Sequence, residues 1–191
     1  MLWRKRPTRD RRRVFVVHGR DEVARDRLFE FLRALDLKPL EWESCVLTTD
    51  SATPFLGDVP PSALAEAQAV VVLLTPDDVV RLHPRLHARR ETSHEAEATC
   101  QPRPNVLIEL GMALAVSPAR TIMVEMGELR PISDIGGRNV IRFDGSPASM
   151  GKLVERLKSA GCAVDDRGGD WRDTRRFSRL DAYDRRPAER P

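Results

Sequence analysis

Apolar residues along this chain fall into two spacings. Val14-Phe15-Val16-Val17 is a continuous β-branched and aromatic run that halts at His18-Gly19-Arg20-Asp21, the pattern of a buried strand ending in a loop. Asp21 is placed to cap a following helix, and Ala24, Leu28, Phe31, Leu32 and Leu35 then recur at helical spacing. Leu37 to Trp42 reads as a second strand. Glu43 to Pro61 is rich in Ser, Thr, Gly and Pro and predicts a long connection. A short helix around Ser62 to Ala67 leads to Ala69-Val70-Val71-Val72-Leu73-Leu74, whose unbroken apolar character suits a central strand covered on both faces.

Beyond it, Thr75 to Pro102 is polar, with a helix predicted around Arg90 to Thr99. Pro102 and Pro104 punctuate the approach to another helix, for which Asn105 is the expected N-cap. Thr121 to Glu125 and Asn139 to Phe143 read as a fourth and a fifth strand. Met150, Leu153, Val154 and Leu157 line a last helix that stops at Gly161. Five strands interleaved with helices predict an α/β, flavodoxin-like domain: a five-stranded parallel sheet with helices on both faces. The expected organisation is a basic arm over 1–13, one domain over 14–164, and a polar tail over 165–191. That tail reads as extended, partly ordered where Trp171 and Phe177 pin it. Ligands of such sheets bind outside the carboxyl ends of the strands, where His18 to Asp21, Trp42-Glu43 and Phe143-Asp144 fall.

Charge sharpens this division. The net charge of +3 conceals seven Lys/Arg against one acid in residues 1–13, and 17 basic against 22 acidic residues over 14–165. The basic balance therefore belongs to the ends, and a solvated arm is the expectation rather than a nucleic-acid surface. No apolar run approaches the roughly 20 residues of a membrane span, and the N-terminus lacks the apolar stretch of a secretory signal. Cys45, Cys100 and Cys162 are odd in number and widely spaced, as in reduced thiols of a cytoplasmic protein. His83, His87, His94 and Cys100 have no regular ligand spacing, so no metal is expected.

The candidate chemistry lies in Pro104-Asn105-Val106-Leu107-Ile108-Glu109-Leu110-Gly111-Met112-Ala113. From Pro104 to Ala119 the one ionisable side chain is Glu109. On a helix it flanks the stripe of Val106, Leu110, Ala113 and Leu114. A carboxylate held in apolar surroundings is either a functional group or a structural one that caps an amide or pairs with an Arg.

Three segments taken in order, Val14 to Asp21, Leu40-Glu41-Trp42, and Pro104 to Ala113, resemble the bacterial TIR-like domains that act as effectors in cyclic-nucleotide anti-phage systems (CBASS and Pycsar). Ser133-Asp134-Ile135-Gly136-Gly137-Arg138 and Asp170-Trp171 add to the likeness, which spans about residues 13–177. The resemblance implies a TIR fold and cleavage of NAD+ at the nicotinamide–ribose bond, with NAD+ as a consumed substrate and no cofactor. It matches the family's motif glutamate to Glu109, as nucleophile or electrostatic stabiliser of an oxocarbenium-like ribose.

Seven positions are expected to bind substrate: His18, Gly19, Arg20, Asp21, Trp42, Thr53 and Asn105. The amides of Gly19 and Arg20 and the Arg20 guanidinium would hold diphosphate. His18 would join them or simply end its strand, and Trp42 would stack on a base or pack in the core. Thr53 and Phe55 lie in the loop that moves on assembly in TIR domains, so self-association is an expected partner interaction; Gly57 to Pro61 breaks the usual helix there. A tail of about 25 residues is too short for a sensor domain, which leaves three expectations open: the chain is excerpted, a partner such as a sensor protein or cyclic-nucleotide signal regulates it, or it senses through its own assembly. The alternatives are a non-catalytic TIR module that binds nucleotide and assembles, and a nucleoside deoxyribosyltransferase-like enzyme.

Overall fold

A computed structural model of the chain describes residues 9–40, 67–90, 92–135 and 137–187. Strand β1 (Arg13–Val17) is followed by α1 (Glu22–Ala34), β2 (Lys38–Leu40) and β3 (Ala69–Leu74). Next come β4 (Asp78–Val80), the single turn α2 (Ser93–Ala96), β5 (Thr99–Gln101) and α3 (Pro104–Val116). β6 (Thr121–Glu125), β7 (Ile141–Arg142) and α4 (Pro147–Ser159) complete the regular elements. Among the described residues β2, β1, β3, β6 and β7 form, in that order, one parallel sheet. The expected α/β architecture is present.

Alternation along the strands sorts the core into two layers. Val14 and Val16 of β1, Val71 and Leu73 of β3, and Ile122 and Val124 of β6 point into a layer shared with Leu28, Phe31 and Leu32 of α1 and Leu153 and Leu157 of α4. Phe15, Val17, Val70, Val72, Leu74 and Met123 point the other way and meet Val106, Leu110 and Ala113 of α3. Every residue of β3 is buried, as its unbroken apolar run requires. The chain runs outward from β1 to β2 and then returns to place β3 on β1's other side, so the β1–β3 crevice is the topological switch point of the sheet.

Three local expectations are corrected. The helix expected around 90–99 is one turn only, Ser93–Ala96; Thr99, Cys100 and Gln101 instead pair antiparallel with β4 in a second, two-stranded sheet. Val79, Val80 and Thr99 favour strand, and Pro102 biases Gln101 toward extended backbone. Asn105 is not an N-cap: α3 starts at Pro104, and the extended cap residue is Arg103, which makes no side-chain cap bond. Proline suits the first helical position because its missing N–H has no acceptor there. The segment past Asp165 is folded through Pro187 in a series of 3-10 turns. Trp171, Phe177, Leu180 and Ala182 are buried in the α1 layer, where Phe177 meets Phe143 and Phe31 edge to face at centroid separations of 4.7 and 5.8 Å. Pinning by Trp171 and Phe177 therefore extends over the whole segment between them.

The expected helix at 62–67 falls almost wholly outside the described residues. The inner end of the basic arm is tied down: Arg11 Nε donates to the Gly161 carbonyl at 2.8 Å, and Lys38 pairs with Asp10 at 3.0 Å. Among the described residues no helix is long and apolar enough to cross a membrane.

Candidate functional site

Glu109 lies in the second turn of α3, beside the buried Val106 and Leu110 that seat the helix on β1 and β3. As the crossover helix entering β6, α3 begins near the carboxyl ends of the strands, so Glu109 lies toward the ligand edge. Its side chain is half-buried, and desolvation pushes its carboxyl up to about 7. Among the described residues it has no hydrogen bond or ion pair, so neither structural role open from the sequence, capping or Arg pairing, is taken up there.

The loop after β1 is built differently from a simple phosphate cradle. His18 continues the alternation of Val14 and Val16, and its ring meets Phe29 of α1 edge to face at 6.3 Å. It faces the α1 layer, while Glu109 belongs to the opposite one. The backbone of Gly19 lies so close to the Asp77 carboxylate that a Cβ at residue 19 would overlap it, with Arg103 Cγ next beyond. The Arg20 amide donates to Asp77 Oδ2 at 2.9 Å, so the donor expected to meet diphosphate holds an internal carboxylate here. The Arg20 side chain is exposed and, among the described residues, unpaired. Asp21 accepts from the Ala24 amide at 2.9 Å, the expected cap, and its second oxygen pairs with Arg185 at 3.0 Å. Asn105 is exposed in the first turn of α3. Trp42 and Thr53 lie outside the described residues, as do Phe55 and Cys45.

Three residues at this edge escaped the sequence reading. Asp77, with a side chain 2% exposed, accepts from the Thr75 hydroxyl at 2.9 Å as well as from Arg20. Arg103 reaches Asp78 at 3.6 Å and lies over Gly19, linking the start of α3 to the β1 loop. Arg185 comes from the far end of the chain. Asp77 had a usable signal: Thr75-Pro76-Asp77 directly follows the central strand, at the ligand edge. Arg185 had none, being one Arg among many in a polar stretch.

At the ends of β3, β6 and β7 is an open cavity of ≈ 310 Å³ whose walls include Leu74, Ile135, Glu125, Arg138 and Arg142. Burial raises the Glu125 carboxyl and Arg142 opposes that shift. The remaining candidate ligands and nucleophiles have local partners or are buried. His83 Nδ1 accepts from the Arg85 amide, and His87 Nε2 lies 3.2 Å from the Leu82 carbonyl. Cys100 and Cys162 are buried, and desolvation pushes the Cys162 thiol up to about 11, far from a reactive thiolate.

Comparison with known proteins agrees with the motifs. The family model described as CAP12/Pycsar effector protein, TIR domain, matches residues 13–145, from β1 through β7. No curated protein matches the chain.

Proposed function

Because the chain belongs to the CAP12/Pycsar effector TIR-domain family, we propose that it is an NAD+ glycohydrolase that cleaves the nicotinamide–ribose bond in anti-phage defence. The observation that carries this reading is Glu109: a half-buried carboxyl without a structural partner among the described residues, on the helix that opens at the ligand edge.

Loss of nicotinamide from C1′ develops positive charge on the ribose, and a carboxylate beside it stabilises or traps that charge. The same apolar setting that raises the Glu109 pKa strengthens its field on the developing cation. The positive charge of the nicotinamide ring favours the ionised form when substrate arrives. The exposed Arg20 guanidinium is the group that meets the diphosphate. NAD+ is consumed, and self-association is the expected trigger.

One observation favours the second reading, a TIR module that binds nucleotide without cleaving it. The Arg20 amide already holds Asp77, and His18 faces the layer opposite Glu109. The Arg20 amide and the His18 ring are thus engaged with partners other than a bound nucleotide.

Nicotinamide release by wild type and Glu109→Gln, across a protein concentration series with a crowding agent, separates the two. Release that climbs with concentration and is lost in the folded mutant supports cleavage. NAD+ binding with no release in assembled protein supports the module, and an active Glu109→Gln excludes the proposed role of that residue.

A further inference from the structure

The β1–α1 loop is held from a part of the chain outside the family match. Arg185 lies 164 residues from Asp21, yet its Nη2 meets Asp21 Oδ2 at 3.0 Å. Its Nη1 donates to the Pro76 carbonyl at 3.3 Å and stands 3.9 Å from Asp77 Oδ1. Both carboxylates are buried, with side chains 7% and 2% exposed. Asp77 holds the Arg20 amide, and Asp21 holds the Ala24 amide. One guanidinium thus joins the carboxylate that holds the loop's Arg20 amide to the one that caps the first turn of α1.

We propose that Arg185 is a positioning residue: it sets the shape of the His18–Asp21 loop at the switch point and thereby the fit of a nucleotide's phosphates there. Two carboxylates facing one crevice repel each other unless a cation lies between them. With Arg185 in place the pair is neutralised in part, and Asp77 stays on the Arg20 amide. Without it, Asp21 and Asp77 are left buried and opposed, and the loop separates from Pro76. A rigid planar fork presents its donors to both carboxylates and the carbonyl in one fixed geometry, which a compact ammonium on a flexible stem does not reproduce. The C-terminal segment that delivers Arg185 is itself seated by Phe177, Leu180 and Ala182 in the core, so the clamp is part of the fold. The effect on catalysis rests on the NAD+ reading; the effect on the loop does not.

Hydrogen exchange of the purified full chain, together with NAD+ binding and nicotinamide release, tests this in Arg185→Ala and Arg185→Lys. Expected for Arg185→Ala is at least tenfold faster exchange in peptides covering residues 18–24, with β3 and β6 unchanged. KM for NAD+ should rise several-fold, more than kcat falls, and Arg185→Lys should recover only part of either. Unchanged loop exchange overturns the proposal, and so does acceleration spread evenly through the sheet, which is a stability effect alone. If Arg185→Ala does not fold, Arg185→Lys, which keeps the stem and charge, carries the same exchange readout. If wild type binds NAD+ but releases no nicotinamide, the cleavage reading fails while the exchange comparison still decides the clamp.

Discussion

The carbonyl of Ala182 fills the space that a Cβ on Gly127 would need, and Gly127 holds a φ of +77°. This contact docks the C-terminal segment on the turn after β6, just past the last strand residue, Glu125. It also explains why a glycine stands there: the backbone conformation disfavours a side chain, and the neighbour is main chain, which cannot rotate away.

Gly127→Ala should therefore destabilise the fold by about 2 kcal/mol or more, combining left-handed strain with a backbone clash. Denaturant melts give the size. Limited proteolysis locates the effect, with the first new cuts expected between residues 170 and 187. A variant as stable as wild type with the same cleavage pattern would show that the segment is not docked there.

Gly111 gives the opposite sign. It sits inside α3 on the exposed side, and an added Cβ meets nothing within 4 Å. Gly111→Ala should stabilise by about 0.5–1 kcal/mol through helix propensity and a less flexible unfolded chain. A lower denaturation midpoint at unchanged m-value would contradict that expectation.

Phe177 tests how far the C-terminal segment is core. Its ring is 1% exposed and packs on Phe31 and Phe143. Phe177→Ala should lose about 3–5 kcal/mol, the usual range for a buried aromatic truncated to alanine. Arg175→Ala, an exposed neighbour paired with Asp173, should leave stability close to wild type, since a solvated surface ion pair adds little. Equal effects of the two would refute the core assignment.

Strands and covered faces were legible in the sequence where burial alone dictates the pattern. Val14 to Val17 and Ala69 to Leu74 are apolar at every position because both faces of a central parallel strand are covered, and both lie within a residue of their expected limits. The capping role of Asp21 and the helical spacing of Leu28, Phe31 and Leu32 followed from local chemistry. The site was legible only in part. Glu109 stood out because its neighbours are apolar, a local signal. Asp77 and Arg185 act through partners 57 to 164 residues away, which no local pattern reports. The β4–β5 sheet was missed because three-residue strands in a polar stretch have too few residues for a period to show. The C-terminal segment read as a tail because its buried Trp171, Phe177, Leu180 and Ala182 are separated by charges at spacings that match neither helix nor strand.

Glu109 makes stability depend on pH with a definite sign. Its carboxyl is raised from an ordinary value of 4.5 to about 7 by burial, so the folded state holds the proton more tightly than the unfolded chain. Its favourable contribution is full below about pH 4.5 and is lost as pH rises to about 7. Glutamine has no proton to lose. The stability of Glu109→Gln relative to wild type should therefore increase between pH 4.5 and 7 and level off above. At roughly 1.4 kcal/mol per pH unit of displacement, discounted for a side chain that is only half-buried, the gain should be on the order of 2 kcal/mol. Asp144 and Asp165, whose carboxyls hydrogen bonds hold near 2, titrate below this window. Glu125, also raised by burial, is common to both proteins and cancels in the difference. Paired urea melts from pH 4 to 9 check this. A difference that stays flat, or that falls as pH rises, would mean that Glu109 is solvated or paired in the folded protein. On the cleavage reading, kcat/KM should then show an acid limb in the same range, since the carboxylate is the working form. A rate independent of pH from 5 to 8 would separate Glu109's ionisation from the chemistry.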